Sequence, residues 1–195
     1  MSTASPVAFL REAVAIDSST DAGPMRSFLR ATLEDREVDV TVDDAGTVCA
    51  HRGPADAGTH LLLNTHLDTV PPHIPPRWDP QTQTLHGRGS ADAKGPLAAM
   101  VDAFTSATLP AGVRVTLAVT TDEERHSRGA AALDVGQTMA IVGEPTDLTL
   151  ATAARGRFVA TVRLAGTAGH AATPAECVNP LEAVGPAVAA IHGMD

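Results

Sequence analysis

His66-Leu67-Asp68 lies at the end of the apolar run Leu61-Leu62-Leu63 and puts an imidazole and a carboxylate where a strand emerges into a site. Three further clusters follow apolar segments in the same way: Gly87-Arg88-Gly89-Ser90-Ala91-Asp92-Ala93-Lys94-Gly95, Asp122-Glu123-Glu124 and Gly143-Glu144-Pro145-Thr146. Imidazole nitrogens and carboxylate oxygens are the donors of a zinc-type site, and a carboxylate not used as a ligand can move a proton. The chemistry these residues point to is metal-dependent hydrolysis.

Each cluster also has a plainer reading. A His-x-Asp triplet arises readily by chance in a chain with 8 histidines, so the strand before it carries the argument. In that context His66 binds a metal through one ring nitrogen, while Asp68 holds the ring's orientation or raises its basicity. The 87–95 segment is not a P-loop, because GxxxxGK followed by Ser or Thr does not fit, nor a dinucleotide loop, because GxGxxG fails at Asp92. Asp92, between small residues, can place both oxygens on two cations, and Lys94 reads as a structural charge. Asp122-Glu123-Glu124 fits an acidic first turn favoured by a helix dipole; it also fits a pair in which one carboxylate binds metal and its neighbour takes a proton from water. Glu144 is either a polar strand end beside Pro145 or an oxygen ligand that completes the set.

These residues need elements to hold them. Ser5 and Pro6 can start a helix with Val7, Leu10 and Val14 at helical spacing, and a second helix from Pro24 carries Met25, Phe28, Leu29 and Leu33 on one face. Residues 38–42 and 47–51 read as paired strands across Asp44-Ala45-Gly46, and 60–64 as a fully buried strand. After the proline-rich loop 71–80, residues 84–86 look extended. A helix over 94–107 directs Leu97, Met100, Val101 and Phe104 inward, and a short helix is expected over 127–133. Residues 113–120 and 139–142 read as buried strands. Strands alternating with helices predict an α/β fold with a mostly parallel central sheet flanked by helices, and in such sheets sites gather at the carboxyl ends of the strands.

The pattern changes near residue 154. Arg155-Gly156-Arg157 leads into an alternating strand over 158–164, then Gly166-Thr167-Ala168-Gly169-His170, then a helix over 179–191. The expected division is therefore 1–153 for the first domain and 154–195 for the opening strand and helix of a smaller α+β domain. With 44% hydrophobic but only 3% aromatic residues, Val, Leu, Ile and Ala must fill the core. A net charge of −9, with 14 basic against 23 acidic residues, argues against nucleic acid or an anionic membrane as partner. Cys49 and Cys177 form no CxxC pair, residues 1–6 lack the features of a signal peptide, and no segment approaches a membrane helix. A cytoplasmic protein is expected.

Read together, Leu63-Asn64-Thr65-His66-Leu67-Asp68-Thr69-Val70-Pro71-Pro72, the 87–95 segment, Thr121-Asp122-Glu123-Glu124 and Val142-Gly143-Glu144-Pro145-Thr146 resemble the co-catalytic zinc aminoacylases and exopeptidases. That family includes acetylornithine deacetylase, succinyl-diaminopimelate desuccinylase, aminoacylase and glutamate carboxypeptidase. The resemblance implies two zinc ions, with cobalt able to substitute. His66 and Glu144 would be ligands of the first, Glu124 a ligand of the second and Asp92 the bridge. It makes Asp68 the residue that orients His66, Glu123 the general base, and His170 of the smaller dimerisation domain a group that polarises the substrate carbonyl. It further implies a cis peptide between Asp92 and Ala93.

The implied reaction is hydrolysis of an N-acyl amino acid by a homodimer joined through the second domain. Acetylornithine deacetylation in arginine or lysine biosynthesis is favoured over desuccinylation or exopeptidase activity. Family members continue past the length of this chain and carry a last histidine ligand near their C-terminus, so a fragment or truncated product is expected, with an inactive remnant that binds one metal as the alternative.

Overall fold

In the computed structural model, which describes residues 5–156 and 159–193, the Ser5 hydroxyl accepts a hydrogen bond from the Ala8 amide at 3.2 Å. With Pro6 in the first turn, this cap starts helix α1 (Pro6–Ala15). Its buried stripe runs through Phe9, Ala13 and Val14; Val7, expected on that face, is exposed. Asp21 accepts from the Gly23 amide at 2.8 Å at the start of α2 (Gly23–Glu34), which buries Met25, Leu29 and Leu33. The Phe9 and Phe28 rings meet at 5.1 Å, joining the two helices.

Among the described residues five strands form the central sheet: β1 (Val40–Val42), β2 (Val48–Arg52), β3 (Thr59–His66), β6 (Val113–Thr120) and β7 (Met139–Val142). Their order is β1-β2-β6-β3-β7. The ladders β6–β3 and β3–β7 are parallel, and β2 runs against both of its neighbours, so four of the five strands point one way. The sheet is mostly parallel, as the alternation of elements predicts. Helix α3 (Lys94–Ser106) turns Leu97, Met100, Val101 and Phe104 onto it. With Val48, Ala50, Leu63, Val115, Leu117 and Val119 from the sheet and the apolar faces of α1 and α2, they form the core.

Three expectations need correction. β7 is not buried: Met139, Ile141 and Val142 are each more than half exposed, because among the described residues this strand is the sheet edge and pairs with β3 alone. The proline-rich loop contains a strand, β4 (Arg77–Asp79), which pairs antiparallel with β5 (Thr84–His86). Prolines on both sides of Arg77-Trp78-Asp79 hide so short a strand. The 87–95 segment thus follows this separate hairpin rather than a strand of the central sheet.

A short helix α4 (Arg128–Ala132) follows the acidic cluster, and the first compact unit ends at Leu150. In the second unit, from Ala151, Thr167 and Val178 form an isolated bridge on either side of the loop that carries His170. Two 3-10 turns, Pro174–Glu176 and Pro180–Ala183, lead into helix α5 (Val184–His192). Of the strand expected over 158–164, Phe158 lies outside the described residues, as does Arg157 before it. Residues 159–164 are irregular, since a strand needs a ladder partner and the described part of this unit offers only the single bridge. Among the described residues no helix is long and apolar enough to cross a membrane.

Candidate metal centre

The parallel strands deliver the site. His66 is the last residue of β3, paired with Thr120, the last of β6, and the Leu67 amide continues that ladder to the Thr120 carbonyl at 2.8 Å. β7 ends at Val142, after which the Gly143 amide donates to the Asn64 carbonyl at 2.7 Å and the Thr65 hydroxyl donates to the Gly143 carbonyl at 3.0 Å. The segments bearing His66, Glu123-Glu124 and Glu144 therefore leave one edge of the sheet side by side. A Cβ at Gly143 would lie 2.8 Å from Met100 Cε and 3.1 Å from Pro96 Cβ, so a larger residue there needs the flexible end of Met100 to move.

Asp92 arrives from another direction, on the turn that starts α3. The Lys94 amide closes this turn onto the Gly89 carbonyl at 3.0 Å, and the peptide between Asp92 and Ala93 is cis. The Lys94 side chain, 1% exposed, donates to the carbonyls of Ala13 at 3.0 Å and Ile16 at 2.7 Å. Burial pushes its ammonium down to about 8, with Asp17 pulling the other way.

His66 Nε2, Asp92 and Glu124 form the centre: one ligand atom from each lies within 4.8 Å of the other two. His66 is 1% exposed, and its Nε2 stands 3.1 Å from Asp92 Oδ1 and 4.0 Å from Glu123 Oε2. The opposite nitrogen, Nδ1, donates to the backbone carbonyl of Asp68 at 3.0 Å, which turns Nε2 toward the carboxylates. Burial alone would make this ring less basic; Asp68, Glu144 and Glu123 outweigh it and push His66 up to about 9.

Glu144 is half-buried and stands outside the set of three, yet its charge acts on His66, Asp92, Glu123 and Glu124. Burial raises the pKa of Glu124, and Asp92 and Glu123 add to it; burial likewise raises that of Glu144 against the pull of His66. Carboxylic acids crowded this way favour a cation among them. One imidazole and two carboxylates are a nitrogen and oxygen donor set of the kind zinc and other first-row divalent ions accept, so these residues fit a metal.

The Asp68 carboxylate accepts from the Glu123 amide through Oδ1 and from the Glu124 amide through Oδ2, both at 3.2 Å. Burial pushes this carboxyl up, but His66 and the two amides outweigh it and hold the group below the usual carboxylate range. Asp122, with φ of 62°, turns the chain here and accepts from Arg128 Nε at 2.7 Å. His170 belongs to the second unit, where its Nδ1 accepts from the Ala172 amide at 3.1 Å. Reading the sequence missed Arg26 and Arg125, which line a cavity of about 200 Å³ together with Ser18, Ser19, Asp68 and Asp122. Neither arginine falls in a recognisable pattern.

Residues 62–192 match the description of peptidase family M20/M25/M40. The chain belongs to this family. Among its relatives, a LysW-lysine hydrolase of Deinococcus radiodurans is 38% identical over 162 residues, 80% of this chain and 44% of that protein. A LysW-lysine/LysW-ornithine hydrolase of Sulfurisphaera tokodaii is 40% identical over 90 residues, 45% of this chain and 25% of that protein. The chain therefore spans less than half the length of these M20 relatives. The fold is that of a tripeptidase of Staphylococcus aureus, with a TM-score of 0.65 at 19% identity over 97% of this chain and 56% of that one.

Proposed function

We propose that this M20 chain carries the metal-binding and proton-moving part of an amide hydrolase that frees an amino acid from an N-acyl linkage. The observation that carries the reading is the convergence of His66, Asp92 and Glu124 within 4.8 Å, with the Glu123 carboxylate 4.0 Å from the same imidazole. His66, Asp92, Glu124 and Glu144 would hold zinc, two ions in a complete site and cobalt in its place on substitution. Bound there, the metal would supply Lewis acidity to the scissile carbonyl and make water more acidic. Glu123 takes the proton from the attacking water and returns it to the departing amine nitrogen. Asp68 orients the His66 ring, and the resemblance makes His170 the group that steadies the charge developing on the carbonyl oxygen.

For substrate, the names of the relatives favour lysine or ornithine joined to LysW over the acetylated ornithine expected from the sequence; both readings keep amide hydrolysis and differ in the acyl group. The resemblance further supports a homodimer through the second unit, in a cytoplasmic biosynthetic route. The test is incubation of the zinc-loaded chain with LysW-lysine, LysW-ornithine and acetylornithine, with free amino acid measured by mass spectrometry. Release that needs metal and disappears in Glu123→Gln is the expected result. A dialysed chain that takes up no zinc would sink the proposal.

A further inference from the structure

We infer that the Asp68 carboxylate, besides facing the His66 ring, is a positioning group for the Glu123-Glu124 turn. This rests on the roles given above to Glu123 and Glu124. The ring has its own anchor: Nδ1 donates to the Asp68 backbone carbonyl at 3.0 Å, an acceptor that any residue at position 68 supplies. The Asp68 carboxylate oxygen, 3.6 Å from the same nitrogen, faces the ring as well and raises its basicity.

Its two oxygens also accept from backbone amides. Oδ1 takes the Glu123 amide and Oδ2 the Glu124 amide, one each, across 55 and 56 residues of chain. The side chain is 13% exposed, and its bond to the Glu124 amide is part-buried while that to the Glu123 amide is more open. Asp122, in the left-handed region, aims two successive amides at one point, and a carboxylate is the side chain with an acceptor for each. Asparagine has one acceptor oxygen and an NH2 that would face the second amide. The consequence is that one group at the end of β3 sets where both the proton carrier and a metal ligand stand after β6.

The test compares the metal-free, nitrogen-15-labelled chain with D68A and D68N by amide exchange, following the His66 Nδ1–H resonance in the same samples. In D68A the Glu123 and Glu124 amides exchange roughly 10- to 100-fold faster, the loss expected for a hydrogen bond to a charged group, while Nδ1–H stays protected. In D68N one of the two amides loses protection and the other keeps it, so this variant decides the question even if D68A fails to fold. Unchanged amide exchange with loss of the Nδ1–H signal would overturn the inference. Zinc uptake by the parent chain, measured separately, judges the functional reading and leaves the exchange result intact.

Discussion

Glu123 and Glu124 are adjacent, yet the turn gives them different surroundings. Glu124 joins His66 and Asp92, whereas Glu123 is 43% exposed at 4.0 Å from His66 Nε2. Glu123→Gln keeps the shape but cannot accept a proton, so turnover in a complete enzyme built on this sequence is expected to fall about 100- to 10,000-fold with metal content unchanged. Glu124→Gln is expected to lower metal content instead. Activity and metal analysis on both variants check the assignment, and reversed effects would exchange the two roles. The residue types were legible in the sequence because few side chains bind metal or move protons, and His66, Glu123, Glu124 and Glu144 stood after apolar runs, whereas Asp92 follows the hairpin strand β5. The partners of the Asp68 carboxylate were not legible, since they are backbone amides more than fifty residues away and carry no side-chain signature.

At the scale of elements, β5, β6 and β7 were readable to the residue because continuous apolar or alternating runs stop sharply at polar clusters. The exposure of β7 was not, because burial depends on which layers cover a strand and an apolar run reads the same at an edge. A second feature invisible in sequence spans β2, β6 and β3: the buried Thr116 hydroxyl lies 2.8 Å from His51 Nδ1 and 2.7 Å from His60 Nε2. Burial, then Arg114 and His60, lower the pKa of His51 from the ordinary 6.5. A histidine with a depressed folded pKa holds its proton more tightly when unfolded, so stability is lost as pH falls through 6.5 toward the folded value. The melting temperature of the parent chain is expected to drop on acidification through this window, and less steeply in His51→Gln, whose amide can still reach Thr116. Parallel slopes for the two proteins would refute this.

At the scale of the molecule, the ligands the resemblance gives the first metal, His66, Asp92 and Glu144, are all present, and the second has Asp92 and Glu124. Three protein ligands and a water make a plausible zinc site, whereas two carboxylates make a poor one. The chain is expected to hold one zinc ion firmly and a second weakly; elemental analysis of dialysed, monodisperse protein checks it, and two firmly held ions would show that another residue completes the second site. Lys94, two residues after Asp92, reaches across to the carbonyl of Ala13 in α1 and that of Ile16 just after it. This ammonium works as a tether between the metal loop and the beginning of the chain. Lys94→Met removes the ammonium from both carbonyls, leaving that of Ala13 with the Ile16 amide, and is expected to cost about 1–3 kcal/mol in urea unfolding. An ion that immobilises Asp92 also quiets α1, so protease cutting within Pro6–Ala15 should slow on adding zinc, and this helix becomes a remote gauge of whether the site is filled.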